Sequence, residues 1–144
     1  MVFDDTSDLN VGQSKGLGQV FGALGFFDGL FVDLSIEYGD AAIDGGPVLT
    51  RGSIISPVVF ELLRKTAEEK KIPFSLHAAG RETSTDADAI HIAREGVATA
   101  LVSVPNRYMH SPNELVSIQD LDHAAELIAH TCRSITAKTD FTAR

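Results

Sequence analysis

The chain has 144 residues, about the size of one ordinary domain, and its 44% apolar content is enough for a buried core without disulfides or metals. A disordered or fibrous protein is excluded. Twelve Lys and Arg against twenty Asp and Glu leave a net charge of −8, a surface that repels phosphate backbones and anionic headgroups, so neither a nucleic-acid nor a membrane partner is expected. The lone Cys132 has no intrachain disulfide partner, which suits a reducing compartment. The longest uncharged stretch, Gly16 to Phe27, is too short and too rich in glycine to span a bilayer. Asp4, Asp5 and Asp8 stand where a secretory leader would carry basic residues, and the expectation is a cytoplasmic protein.

Residues 1–19 are polar and without a clear period. The first firm element is Gly29 to Ile36, a short run dense in β-favouring residues that reads as a buried strand interrupted by Asp33. Glycines, Pro47, Asp40 and Asp44 make the stretch from Glu37 to Ser53 a loop with one short strand at Pro47 to Thr50. Ser56 as N-cap and Pro57 at the first helical position open a helix ending near Lys71, with Val59, Leu62, Leu63 and Ala67 on its apolar face. Ile72 to Ala78 alternates as a strand should, and Gly80 to Ser84 is a polar loop. Asp86 to Glu95 is a short helix closed by Gly96, followed by an apolar strand from Val97 to Val104 that Pro105 stops. Ile118, Leu121, Ala125, Ile128, Cys132 and Ile135, spaced by three and four, predict a last helix with that stripe buried. Strands and helices in alternation give one α/β domain over 1–144 with much of its sheet parallel.

Most simple motifs fail. The glycines at 16, 18, 22 and 25 precede the first strand, whereas a phosphate cradle follows one. No Gly-x-Ser-x-Gly elbow is present. Cys132 on the helix stripe reads as a small buried hydrophobe. More informative are Asp33, a carboxylate in an apolar strand that needs a cation or donors to offset its burial, and His110, just past the strand 97–104. Carboxylate and imidazole are ligands for divalent metals such as zinc, although a lone strand Asp and a lone loop His are more often structural.

The run from Ser84 to Leu121, with its Thr85-Asp86-Ala87 and Arg107-Tyr108-Met109-His110-Ser111-Pro112 pieces, resembles the carboxyl-terminal half of the di-metal aminopeptidases that build tetrahedral shells. Some members of that family carry glutamyl aminopeptidase or endoglucanase labels. Phe31-Val-Asp-Leu34 and Gly45-Gly-Pro-Val-Leu49 fall in the matching order, so the resemblance runs over roughly residues 28 to 135. It implies a three-layer α/β fold of zinc-peptidase type, with helices on both faces of the sheet, of which this chain is an incomplete, carboxyl-terminal part. It implies two divalent ions, zinc or cobalt, with Asp33 a ligand of one and His110 a ligand of the other. Thr85, Asp86, Arg107 and Tyr108 match positions near the substrate cleft, where they either contact substrate or brace loops and cap the helix at 86–95. His91 reads as structural, and His77, His123 and His130 match no ligand position.

The chain departs from the family in one motif. Members present two adjacent glutamates before a Val-Gly pair, one of them the general base, whereas Leu9-Asn10 precede Val11-Gly12 here. The family's first metal-binding His, its bridging Asp and its inserted β-domain fall before the matched region. No catalytic base is assigned within the chain. The resemblance implies a metallo-aminopeptidase acting on the amino-terminal residue of peptides. The alternatives are a non-catalytic assembly or binding module derived from that family and, more weakly, an endoglucanase. Apolar surface and sheet edges left uncovered imply a homo-oligomer.

Overall fold

A computed structural model describes residues 41–142. The strand expected over 29–36, with Asp33, lies outside the described residues.

Strand β1 (Val48–Arg51) leads into helix α1 (Pro57–Lys70), which returns the chain to strand β2 (Ser75–Ala78). The two strands are parallel, Val48 facing Ser75 and Arg51 facing Ala78, as a helical crossover requires. A short helix α2 (Ala87–Ile90) precedes β3 (Val102–Ser103), which joins the other edge of β1 antiparallel, with Val48 opposite Ser103 and Leu49 opposite Val102. The sheet order is therefore β2-β1-β3. Beyond it, β4 (Asn106–Arg107) and β5 (Leu115–Val116) form a separate two-stranded hairpin, and α3 (Ile118–Ser134) is the last element among the described residues. This mixed α/β order agrees with the expected class, although two of the three ladders among the described residues are antiparallel, where a mostly parallel sheet is expected.

Helix α1 forms for the reasons its sequence supplies. Ser56 sits in extended backbone and its Oγ accepts from the Val59 amide, while Pro57 occupies the first turn, where its missing N–H costs nothing. At the other end Lys71 adopts a left-handed conformation, φ 58°, and its amide donates to the carbonyls of Ala67 and Glu68. Val59, Leu63 and Ala67 bury against Leu49, Leu101 and Val102, and α3 adds Ala124 and Leu127 to the same core.

Three expectations are corrected. The helix at 86–95 is only Ala87–Ile90; the chain continues as turns, and the left-handed Arg94 (φ 53°) bars helix from reaching Glu95. The strand at 97–104 pairs in the ladder only at Val102 and Ser103, although the carbonyls of Thr99 and Leu101 accept from the amides of Ser56 and Thr50. Finally, α3 buries Asp120, Ala124, Leu127, Ile128 and Thr131, a face rotated by roughly a quarter turn from the expected stripe. Ile118, which opens that stripe, is 75% exposed.

Candidate functional site

The antiparallel docking of β3 decides where the candidate residues fall. β1 and β2 end at Arg51 and Ala78, whereas β3 ends beside Val48, at the other end of the sheet. His110 follows β3 and Thr85 and Asp86 follow β2, so the connections carrying the two groups leave opposite ends. Contrary to expectation, His110 follows a strand whose carboxyl end lies at the amino edge of the parallel pair β1–β2, because β3 docks antiparallel.

Arg107, Tyr108 and His110 are brought together on the β4–β5 hairpin. Tyr108 (φ 61°) and His110 (φ 63°) both hold left-handed backbone without being glycine, and both side chains are exposed. Such residues cost on the order of 1 kcal/mol each and persist where surrounding contacts over-determine them. The His110 amide donates to the Glu114 carboxylate across the loop. Arg107 donates from Nη1 to the Asn106 carbonyl at 2.9 Å and from Nη2 to the Ala41 carbonyl at 2.7 Å, tying the hairpin to the segment that leads into β1.

That segment is fixed a second time by Asp120, a residue the sequence reading passed over. Its carboxylate is fully buried in the first turn of α3, with Oδ2 accepting from the Asp44 amide at 2.9 Å and Oδ1 from the Gly46 amide at 2.7 Å. The amino end of the helix favours a negative charge there. Ser117 Oγ in turn donates to the Asp44 carboxylate. An acidic residue in the first turn, just after a serine, is a signal visible in the sequence, but the apolar stripe points that position towards solvent.

At the far end of the sheet, Thr85 Oγ1 accepts from the Ala87 amide at 3.2 Å and lies 2.9 Å from Thr83 Oγ1. Asp86 precedes α2 without capping it and is exposed. The organising group is Asp88, also missed, which accepts from the Thr83 amide at 2.8 Å, the Thr83 hydroxyl at 2.7 Å and the Ser84 amide at 2.9 Å. The Thr83 hydroxyl first, then the Thr83 amide, with smaller contributions from the Ser84 amide and His91, hold its carboxyl below the usual range. An open cavity of about 360 Å³ lies here, lined by Ser53, Ile54, Arg81, Glu82, Asp88 and His91.

Among the described residues no group of three or more His, Cys, Asp or Glu side chains could hold a metal ion. His110 is the one proposed ligand within them, so they do not by themselves constitute a metal centre. Cys132 is half-buried and burial pushes its thiol up, which keeps it protonated at neutral pH. His91 Nδ1 lies 3.1 Å from the Ala87 carbonyl oxygen, in keeping with a structural role.

The sequence model of the M42 glutamyl aminopeptidases matches residues 32–127. A lysyl aminopeptidase of Pyrococcus furiosus is 42% identical over 82 residues, which are 57% of this chain and 24% of that protein. Among solved structures, a TET aminopeptidase from a marine-sediment Thaumarchaeota archaeon superposes with a TM-score of 0.69 at 25% identity, over 78% of this chain and 35% of that one. The TET1 peptidase of Pyrococcus horikoshii, which can assemble into a tetrahedron or a large octahedral shell, superposes with a TM-score of 0.50 at 26% identity, over 70% of this chain and 30% of that one. The chain thus spans about a quarter to a third of the length of these relatives.

Proposed function

Since the chain belongs to the M42 glutamyl aminopeptidase family, we propose that it is the carboxyl-terminal part of a metal-dependent aminopeptidase that removes amino-terminal residues from peptides. In this reading its sheet is one part of a three-layer α/β fold, and Asp33 and His110 are ligands of a pair of divalent ions, zinc or cobalt. The observation that carries it is the Arg107-Tyr108-Met109-His110 run, which presents an exposed imidazole on a loop with two left-handed non-glycine residues inside the matched stretch.

The metal, when bound, supplies the activation of water. Residues 41–142 hold one of the two proposed ligands, His110. The chain's own contribution is presentation: the hairpin offers His110, and the exposed ring of Tyr108 beside it stands ready to contact substrate. Thr85 and Asp86 follow the opposite end of the sheet, and the hydrogen bonds of Thr85 favour a loop-bracing role for that residue.

The test is hydrolysis of a panel of aminoacyl anilides by the purified full chain with added Zn²⁺ or Co²⁺. Chromophore release that His110→Ala abolishes without lowering the melting temperature is the expected result. No release across the panel with either ion would overturn the reading for this chain and favour a non-catalytic module.

The proposal includes self-association in a cytoplasmic setting. Leu115 is 51% exposed on the hairpin and Ile118 is 75% exposed where the hairpin runs into α3. An apolar surface of this kind commonly marks an interface.

A further inference from the structure

The β4–β5 hairpin has two paired residues per strand, far too little to fix its own geometry in water. Yet it carries two left-handed residues, Tyr108 and His110, whose backbone relaxes unless held from outside. The outside contact is the Arg107 guanidinium, whose two terminal nitrogens both donate to main-chain carbonyls, one of them that of Ala41. Three and five residues on, the same segment is gripped again: Asp120, at the start of the helix that follows the hairpin, receives the amides of Asp44 and Gly46. The hairpin and the start of α3 are thereby fastened to one stretch of chain, Ala41–Gly46.

We propose that Arg107 and Asp120 are positioning residues, a two-point clasp that fastens the hairpin and the start of α3 to Ala41–Gly46 and so holds His110 in the geometry its role requires. The inference rests on the reading of His110 as a ligand. It assigns Arg107 to the hairpin's geometry and not to substrate, and it gives a purpose to a fully buried carboxylate that the reaction does not use. A single charged group accepting two backbone amides is a strong fastening, because removing the carboxylate takes the partner from the buried Gly46 amide and the part-buried Asp44 amide.

The test uses the full chain and needs neither metal nor substrate. Hydrogen exchange read by mass spectrometry should show the amides of 106–116 exchanging about tenfold faster in Arg107→Met and in Asp120→Asn, the effect of losing one or two net hydrogen bonds, with α1 unchanged. The His110 ring resonances should move and broaden while those of His77, His91 and His130 stay in place. Arg107→Lys, which reaches only one of the two carbonyls, should fall between wild type and Arg107→Met, and it decides the matter should Arg107→Met fail to fold. Unchanged exchange and an unchanged His110 resonance would overturn the clasp. So would a uniform rise in exchange across the chain, which is general destabilisation. A protein inert towards aminoacyl anilides removes the aminopeptidase reading and leaves these readouts intact. Normal turnover with unaltered hairpin exchange removes the clasp alone.

Discussion

Gly46 sits at φ 82°, and a Cβ placed on it would stand 2.0 Å from the Pro73 carbonyl oxygen, a backbone atom that cannot step aside. Gly46→Ala therefore combines left-handed strain with a steric collision and should cost about 3 kcal/mol, measured by denaturant unfolding. Gly80→Ala is the control: nothing lies within 4 Å of a Cβ there, and its unfolding midpoint should barely move. Asp88 sets a pH dependence. Its folded carboxyl lies below the ordinary value because the Thr83 hydroxyl and amide bond the charged form. The stability it contributes is therefore fully present above the unfolded pKa of about 3.9 and is lost as pH falls through the lowered folded value. Wild type should exceed Asp88→Asn in melting temperature at neutral pH, and the gap should close as the solution is acidified below about pH 4. A gap that persists unchanged into strong acid would remove the carboxylate's charge from the explanation.

At the scale of elements, α1 owes its start to chemistry that the sequence displays. The bond from the Val59 amide to Ser56 Oγ is long, 3.5 Å, so Ser56→Ala should cost toward the lower end of the usual cap penalty, about 0.5 to 1 kcal/mol by thermal unfolding. α1 was legible because cap, proline and apolar face all agree, and β1 and β2 because turn residues bound them. The placing of α3 was legible and its buried face was not. Period alone favours the stripe through Ile118 and Cys132, but main-chain donors at Asp44 and Gly46 draw Asp120 inward and turn the helix. The hairpin escaped notice for a similar reason: its strands are too short to show alternation, and its hold on the rest of the chain runs through Arg107 to Ala41, a pairing no local window contains. The candidate ligand His110 was legible only through the motif that carries it. Asp88 and Asp120 act through backbone amides, so residue type and spacing say little of them.

On the scale of the whole molecule, Leu76, Ile92, Tyr108, Leu115 and Ile118 are large apolar side chains exposed among the described residues. Leu76 is 62% exposed on β2, which lies at one end of the three-stranded order. Leu115 is exposed on β5 and Ile118 at the head of α3, where the hairpin enters the helix. Isolated exposed apolar residues need no explanation, but Leu115 and Ile118, three residues apart on the hairpin and the helix it enters, leave apolar area that another surface would cover. Ile118 also reconciles the rotated face of α3 with its sequence, since the apolar stripe that leaves the core at that residue is free to meet another surface. If that surface belongs to a second copy, Ile118→Lys should lower the mass reported by light scattering at micromolar concentration while leaving the melting temperature of the dissociated chain near that of wild type. The substitution removes apolar contact from the interface and nothing from the core, because the side chain is already in solvent in the single chain. A wild type that scatters as a clean monomer would count against self-association altogether. Were Ile118→Lys to assemble as wild type does, the interface would have to lie elsewhere, and the exposed Leu76 on β2 becomes the next site to substitute, with Leu76→Lys read by the same measurement.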